Sequence, residues 1–226
     1  MRSVFAIFVA LSVLSACTGT ATENPVTSIA TTPPLVPASE PALPTPTASP
    51  PVELTATPAP ADDLFSEMGI TLPPPGQACS GLTQSQTEGP YYTPDTPERN
   101  SLLEEGMQGT PLILVGYVLD QNCQPLPHVW LDFWQADANG EYDNSGYRLR
   151  GHQFTDEQGR YYLETILPGL YASRPIEHIH VKVRPEGGQE ITSQLYFPQR
   201  PVQGLTVTLE ERSDHVIGYF NFVVQR

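Results

Sequence analysis

The chain has 226 residues with 25 acidic and 11 basic side chains, a formal net charge of −14, and 25 prolines and three cysteines. Its single lysine, Lys182, and its lack of any basic cluster argue against nucleic acid as a partner, because phosphate binding needs grouped Lys and Arg. Once the proline-rich part is set aside, enough chain is left for one domain with a proper core.

The first element opens with Met1 and Arg2 and continues as SVFAIFVALSVL, shorter than the ~20 apolar residues of a membrane span. A basic start, a short apolar run and small residues after it describe an export signal over residues 1–16. The signal ends in LSAC at 14–17, which resembles the lipobox of bacterial lipoproteins. That resemblance implies an acylated Cys17 as mature N-terminus, on an exported protein anchored to the bacterial cell envelope and facing the extracytoplasmic side. An ordinary signal with an incidental cysteine is the alternative. Cys79 and Cys123 would then meet an oxidising compartment, where such a pair is expected to bridge rather than stay as two buried thiols.

Residues 17–75 are rich in Pro, Thr and Ala, as in TTPPLVPASEPALPTPTASPPVELTATPAPA, and cannot bury enough apolar surface to fold. They read as a disordered tether, with at most one helical turn in DDLFSEMGI at 62–70. Residues 76–226 form the domain. Its candidate strands are 111–120, 128–137, 160–166, 177–183, 191–197, 205–209 and 215–224, separated by turn formers such as DANGEYDNSG and TDEQGR. Short strands at this spacing predict an all-β fold, a two-sheet antiparallel sandwich.

The stretch SRPIEHIHVKV at 173–183 carries the chemistry. His178 and His180 are two apart in a strand and share one face. Side by side, they are a surface pair or half of a metal site. Glu177 adjoins His178 and points the other way, so a His/carboxylate triad on this strand fails, while His128, His152 and His215 have no ligand spacing. Tyrosine is the remaining donor, from Tyr142 in a turn and Tyr171 just before the histidines. By spacing alone, both tyrosines read as turn-packing residues rather than as ligands. Trp130 and Trp134 share one strand face as core or pocket wall, and Tyr147 and His152 are placed between the tyrosines by position alone.

The run WQADANGEY…GHQFTDEQGRYYLETILPGLY…RPIEHIH…ITSQLYF, with TEGPYY at 87–92, resembles the intradiol ring-cleavage dioxygenases. The resemblance covers roughly residues 126–198 and looks closest to compact extracellular members. It implies a non-haem Fe(III) held by Tyr142, Tyr171, His178 and His180, and a catechol-type substrate cleaved by O₂ to a muconate-type diacid. It also implies that Tyr171 leaves the metal on substrate binding and acts as base, that Arg174 stabilises charge on the ring, and that Gln194 lines the site. One departure is RPIEH, which inserts a residue where the family has R-P-x-H. Rival readings are a tethered, non-enzymatic zinc-binding sandwich and a decayed dioxygenase that keeps its iron. The oligomeric state is left open.

Overall fold

Strand alternation decides the architecture. The structure is a computed structural model, and it describes residues 64–77, 79, 81–171 and 174–226, so the signal segment, Cys17 and most of the expected tether lie outside the described residues. The chain forms β1 (Pro111–Leu119), β2 (Trp130–Gln135), β3 (Arg150–Phe154), β4 (Arg160–Ile166), β5 (His178–Arg184), β6 (Ile191–Tyr196), β7 (Thr208–Glu211), β8 (Val216–Tyr219) and β9 (Phe222–Val223). Among the described residues the helical parts are one turn, α1 (Leu64–Glu67), and a 3-10 turn at Pro75–Gln77.

One sheet has the order β4-β1-β8-β7 with β9 also on β1, and the other has the order β3-β2-β5-β6. The expected two-sheet sandwich is present. The second sheet is antiparallel throughout. In the first, β1 is antiparallel to β4 but parallel to β8 and β9. Alternation fixes the buried face of a strand, not the direction of its neighbour.

Between the sheets pack Leu112 and Leu114 of β1, Leu131 and Phe133 of β2, Leu163 of β4, Ile179, Val181 and Val183 of β5, and Leu195 of β6. Each such side chain contributes about 1.5–3 kcal/mol on leaving water. The pleat therefore turns His178, His180 and Lys182 to the outer face of the second sheet.

Neither outer face is left bare. Phe65 and Ile70 pack on Val115 and Ile217, and Leu72 and Cys79 on Tyr117, Leu119 and Val223. The folded chain thus begins upstream of residue 76, the expected boundary, because proline-rich composition concealed two apolar anchors. From there a leading segment crosses the outer face of the second sheet, with Gln86 N–H bonded to Thr192 O, His152 N–H to Pro97 O and Arg99 N–H to His152 O. The Cys79–Cys123 disulfide, with Cα atoms 5.5 Å apart, ties the start of this segment to the loop after β1.

That loop belongs to a set of three. Asp120, Asp137 and Asp156 each accept, on one side-chain oxygen, the N–H groups two and four residues on. The residue three positions on has positive φ each time: Cys123 at 65°, Gly140 at 82° and Gly159 at 72°. A cysteine takes the glycine-favouring position where the disulfide needs it.

Three elements depart from expectation. Arg150–Phe154 is a strand, although Gly151 and its polar neighbours give it little β signal. The strand expected at 205–209 begins at Thr208, with Thr206 making only an isolated bridge to Tyr196. The stretch expected as 215–224 breaks into β8 and β9, with Phe220 and Asn221 crossing over Gly116, where a Cβ would lie 1.8 Å from the Phe220 carbonyl oxygen.

Candidate metal centre

His178 and His180 are each only 3% exposed, and their Nε2 atoms stand 3.0 Å apart. The His178 Nδ1–H donates to the Ile176 carbonyl at 2.7 Å, which leaves the lone pair on Nε2. Burial, helped by His178 and by the charges of Arg174 and Arg150, pushes His180 down to about 2. Burial also lowers His178, against the Ile176 hydrogen bond. Both rings are neutral near neutral pH, the state in which imidazole binds metals. Two nitrogens on one ion at a right angle, with bonds of about 2.1 Å, lie ~3 Å apart, so the spacing fits a shared ion.

The tyrosines come from two turns locked together. In the turn closed by Asp137, a Cβ on Gly140 would lie 2.0 Å from the Leu170 carbonyl oxygen, and the Gly169 N–H bonds Asp137 O at 2.8 Å. Tyr142 is thereby set beside Tyr171, with ring centroids 5.7 Å apart. The Tyr142 hydroxyl lies 3.5 Å from His178 Nε2, and the Tyr171 ring 6.1 Å from the His178 ring. Burial, then the neighbouring Tyr171, raises the Tyr142 pKa, so only a strongly charged ion would draw off its proton. Among the described residues no group of three or more His, Cys, Asp or Glu could hold a metal, which leaves phenols to complete this donor set. Two imidazoles with hard phenolate oxygens suit a trivalent ion such as Fe(III).

Arg174 reaches the centre despite the inserted residue. A tight turn after it, with Ile176 N–H bonded to Arg174 O, takes up the extra residue between Arg174 and His178. The guanidinium donates to Gln194 Oε1 at 2.6 Å and to the Tyr196 hydroxyl at 3.0 Å. Tyr196 also donates to Gln194 Oε1, and Gln194 Nε2 donates to Thr87 O at 2.6 Å.

The other residues singled out in the sequence divide between the centre and its surroundings. Trp134 stacks on His180, whereas Trp130 lies under the Arg184 guanidinium at 4.2 Å. The Tyr147 hydroxyl donates to Pro94 O, and His152 Nδ1 faces Thr96 O, so both brace the leading segment. Two residues at the centre went unassigned: Tyr91, stacked on Tyr142 with centroids 4.4 Å apart, and Arg150, buried beside them. Tyr91 sat in a recognised motif without a role, and Arg150 sat between the turn formers DANGEYDNSG and TDEQGR in a stretch given no element.

The family described as Dioxygenase matches residues 87–218, more than half of the chain. The chain is 26% identical over 191 residues to a catechol 1,2-dioxygenase of Acinetobacter baylyi, covering 67% of this chain and 61% of that one. It is 31% identical over 112 residues to a protocatechuate 3,4-dioxygenase beta chain of Burkholderia cepacia, covering 42% of this chain and 47% of that one. Among solved structures, the dioxygenase domain of a dioxygenase carbohydrate-binding protein fusion from Streptomyces sp. SirexAA-E is 43% identical, with a TM-score of 0.61 over 64% of this chain and 98% of that one. The chain spans 61% and 50% of two curated catechol 1,2-dioxygenases that it matches, less than two thirds of either.

Proposed function

The chain belongs to the intradiol ring-cleavage dioxygenases, and on that footing we propose that it opens a catechol-type ring with O₂ between the two oxygenated carbons, giving a muconate-type diacid. The observation that carries the reading is the convergence of two neutral imidazole Nε2 atoms with the Tyr142 hydroxyl, next to a fixed guanidinium. Tyr142, Tyr171, His178 and His180 would hold a non-haem Fe(III), which when bound supplies Lewis acidity and a template for the two substrate oxygens.

The chain's own groups do the rest. The Tyr171 phenolate oxygen accepts a proton from a substrate hydroxyl, a general-base role. Arg174, held by Gln194 and Tyr196, presents positive charge where charge builds on the ring, and its anchors leave it little to reorganise. Gln194 joins this group to the leading segment through Thr87.

For location, Cys17 carries a lipid that anchors the exported domain to the bacterial cell envelope, facing the extracytoplasmic side. The Cys79–Cys123 bridge supports export, since disulfides persist in oxidising compartments. Among the described residues, no helix is long and apolar enough to cross a membrane.

The test is ferric reconstitution of the purified protein. Phenolate on Fe(III) gives a visible charge-transfer band, anaerobic catechol should shift it, and turnover should consume one O₂ per ring. A colourless protein, or a cut outside the bond between the oxygenated carbons, would overturn the proposal. Zinc, with a filled d shell, gives no such band.

A further inference from the structure

Arg150 touches no ligand side chain at hydrogen-bonding distance, yet it is 1% exposed and sits in the row that carries the centre. Strand register aligns Arg150, Trp134, His180 and Gln194 directly across β3, β2, β5 and β6. Its guanidinium donates to two main-chain carbonyls: Nη1 to Tyr91 O at 2.6 Å, and Nη2 and Nε to Asp143 O at 2.6 and 3.1 Å. A buried charge whose hydrogen bonds all go to carbonyls is costly to keep, even with Asp143 and Asp132 near enough to favour it. The residue before it, Leu149, is a buried non-glycine at φ 54°, a strained conformation that L side chains rarely adopt.

The carbonyls chosen explain the expense. Tyr91 carries the ring that lies on Tyr142, at 4.4 Å between centroids and 19° between planes, and Asp143 directly follows Tyr142. One planar fork therefore fixes two separate segments whose rings stack. Tyr171 meets the same Tyr91 only edge-on, at 5.8 Å and 82°. We propose that Arg150 is a positioning residue: by clamping the Tyr91 and Asp143 carbonyls, it backs Tyr142 with the face of Tyr91 and makes Tyr142 the tyrosine that stays on the metal when substrate arrives. A lysine offers a point charge without the fork and would not replace it. The inference rests on the reading of this centre as an Fe(III) site.

The experiment uses iron-loaded full-length protein with Tyr91→Phe, Tyr91→Leu and Arg150→Lys. Readouts are the visible band of the anaerobic catechol complex, the rate of iron loss to a chelator, and the melting of metal-free protein. Tyr91→Phe keeps the ring and should keep both the band and the release rate. Tyr91→Leu and Arg150→Lys should shift the band of the substrate complex and release iron about 10-fold faster or more, as is usual when support around a ligand is removed. Adding Arg150→Lys to Tyr142→Phe should change the band no further, because the clamp acts through Tyr142. Should Arg150→Lys fail to fold, Tyr91→Leu, which leaves the buried guanidinium in place, decides alone. Wild-type band and release rate in Tyr91→Leu would overturn the clamp while leaving the iron assignment standing. A colourless wild-type protein would instead overturn the iron site itself.

Discussion

The indole of Trp134 lies flat on the imidazole of His180, with ring centroids 4.7 Å apart and 11° between planes. The two residues face each other directly across β2 and β5, and Tyr92 closes over the indole at 4.8 Å. Trp134 is thus the floor on which His180 rests. Trp134→Phe should fold and lose iron faster than wild type. Trp134→Ala should lose it faster still and be destabilised by about 3–5 kcal/mol. Chelator kinetics and urea melts check both, and unchanged iron release in Trp134→Ala would remove the supporting role.

Tyr142→Phe and Tyr171→Phe should separate by state. Removing Tyr142 should alter the band of both the resting protein and the catechol complex. Removing Tyr171 should alter mainly the resting band and slow turnover, since the substrate proton loses its acceptor while Tyr142 stays engaged. Identical spectra of the two variants with bound catechol would contradict their different roles.

The disulfide closes a loop across a sequence separation of 44, worth about 4 kcal/mol in the chain-entropy view. Cys79→Ser with Cys123→Ser should lower the denaturation midpoint by a corresponding amount and leave the visible band in place, because the bridge anchors the leading segment well before Thr87. A lost band with an intact far-ultraviolet spectrum would show that the bridge shapes the centre itself.

Asp132 should leave a mark in the pH dependence of stability. Burial raises its pKa, while hydrogen bonds from Thr96 and Tyr92 and the charges of His152 and Lys182 pull it back; Glu88 and Glu190 pair with that lysine from behind. The folded state therefore holds the proton more firmly than the unfolded chain, whose value is near 3.9. Stability from this group falls as pH rises through that interval and is flat above it. Asp132→Asn should melt at a temperature that gains on wild type as pH rises from about 4 and then runs parallel to it. A Tm difference independent of pH would refute this. Asp143 acts in the opposite sense: backbone N–H groups of Ser145 and Arg148 hold it down to about 2, so its contribution is lost only as pH falls toward that value.

For the anchor, the readout is partition of the whole chain into detergent. Cys17→Ala should move the protein to the aqueous phase, and a variant still found wholly with membranes would sink the lipoprotein reading.

Most of the sandwich was legible because Ile179, Val181 and Val183 alternate with the polar residues of β5. That same alternation put both histidines on one face before any partner was known. Hidden were features that depend on distant chain. The strand at 150–154 has no apolar pattern because Arg150 and His152 face a surface that the leading segment buries. Phe65 and Ile70 look unremarkable in proline-rich sequence until β1 and β8 supply their partners. The reach of Arg174 depended on a turn whose geometry the inserted residue does not spell out.

The register of the second sheet has a practical outcome for altering this protein. Its four strands all present even-numbered residues to the outer face, where the candidate metal centre stands: 150 and 152, 132 and 134, 178 to 182, and 192 to 196. The apolar packing that holds the sandwich together uses odd-numbered ones on the same strands, such as Leu131, Phe133, Ile179, Val181 and Leu195. Chemistry and foundation are thus written in interleaved registers of one text. A library confined to even positions, with Trp134, Arg150 and Tyr196 kept, can rewrite the first while leaving the second in place.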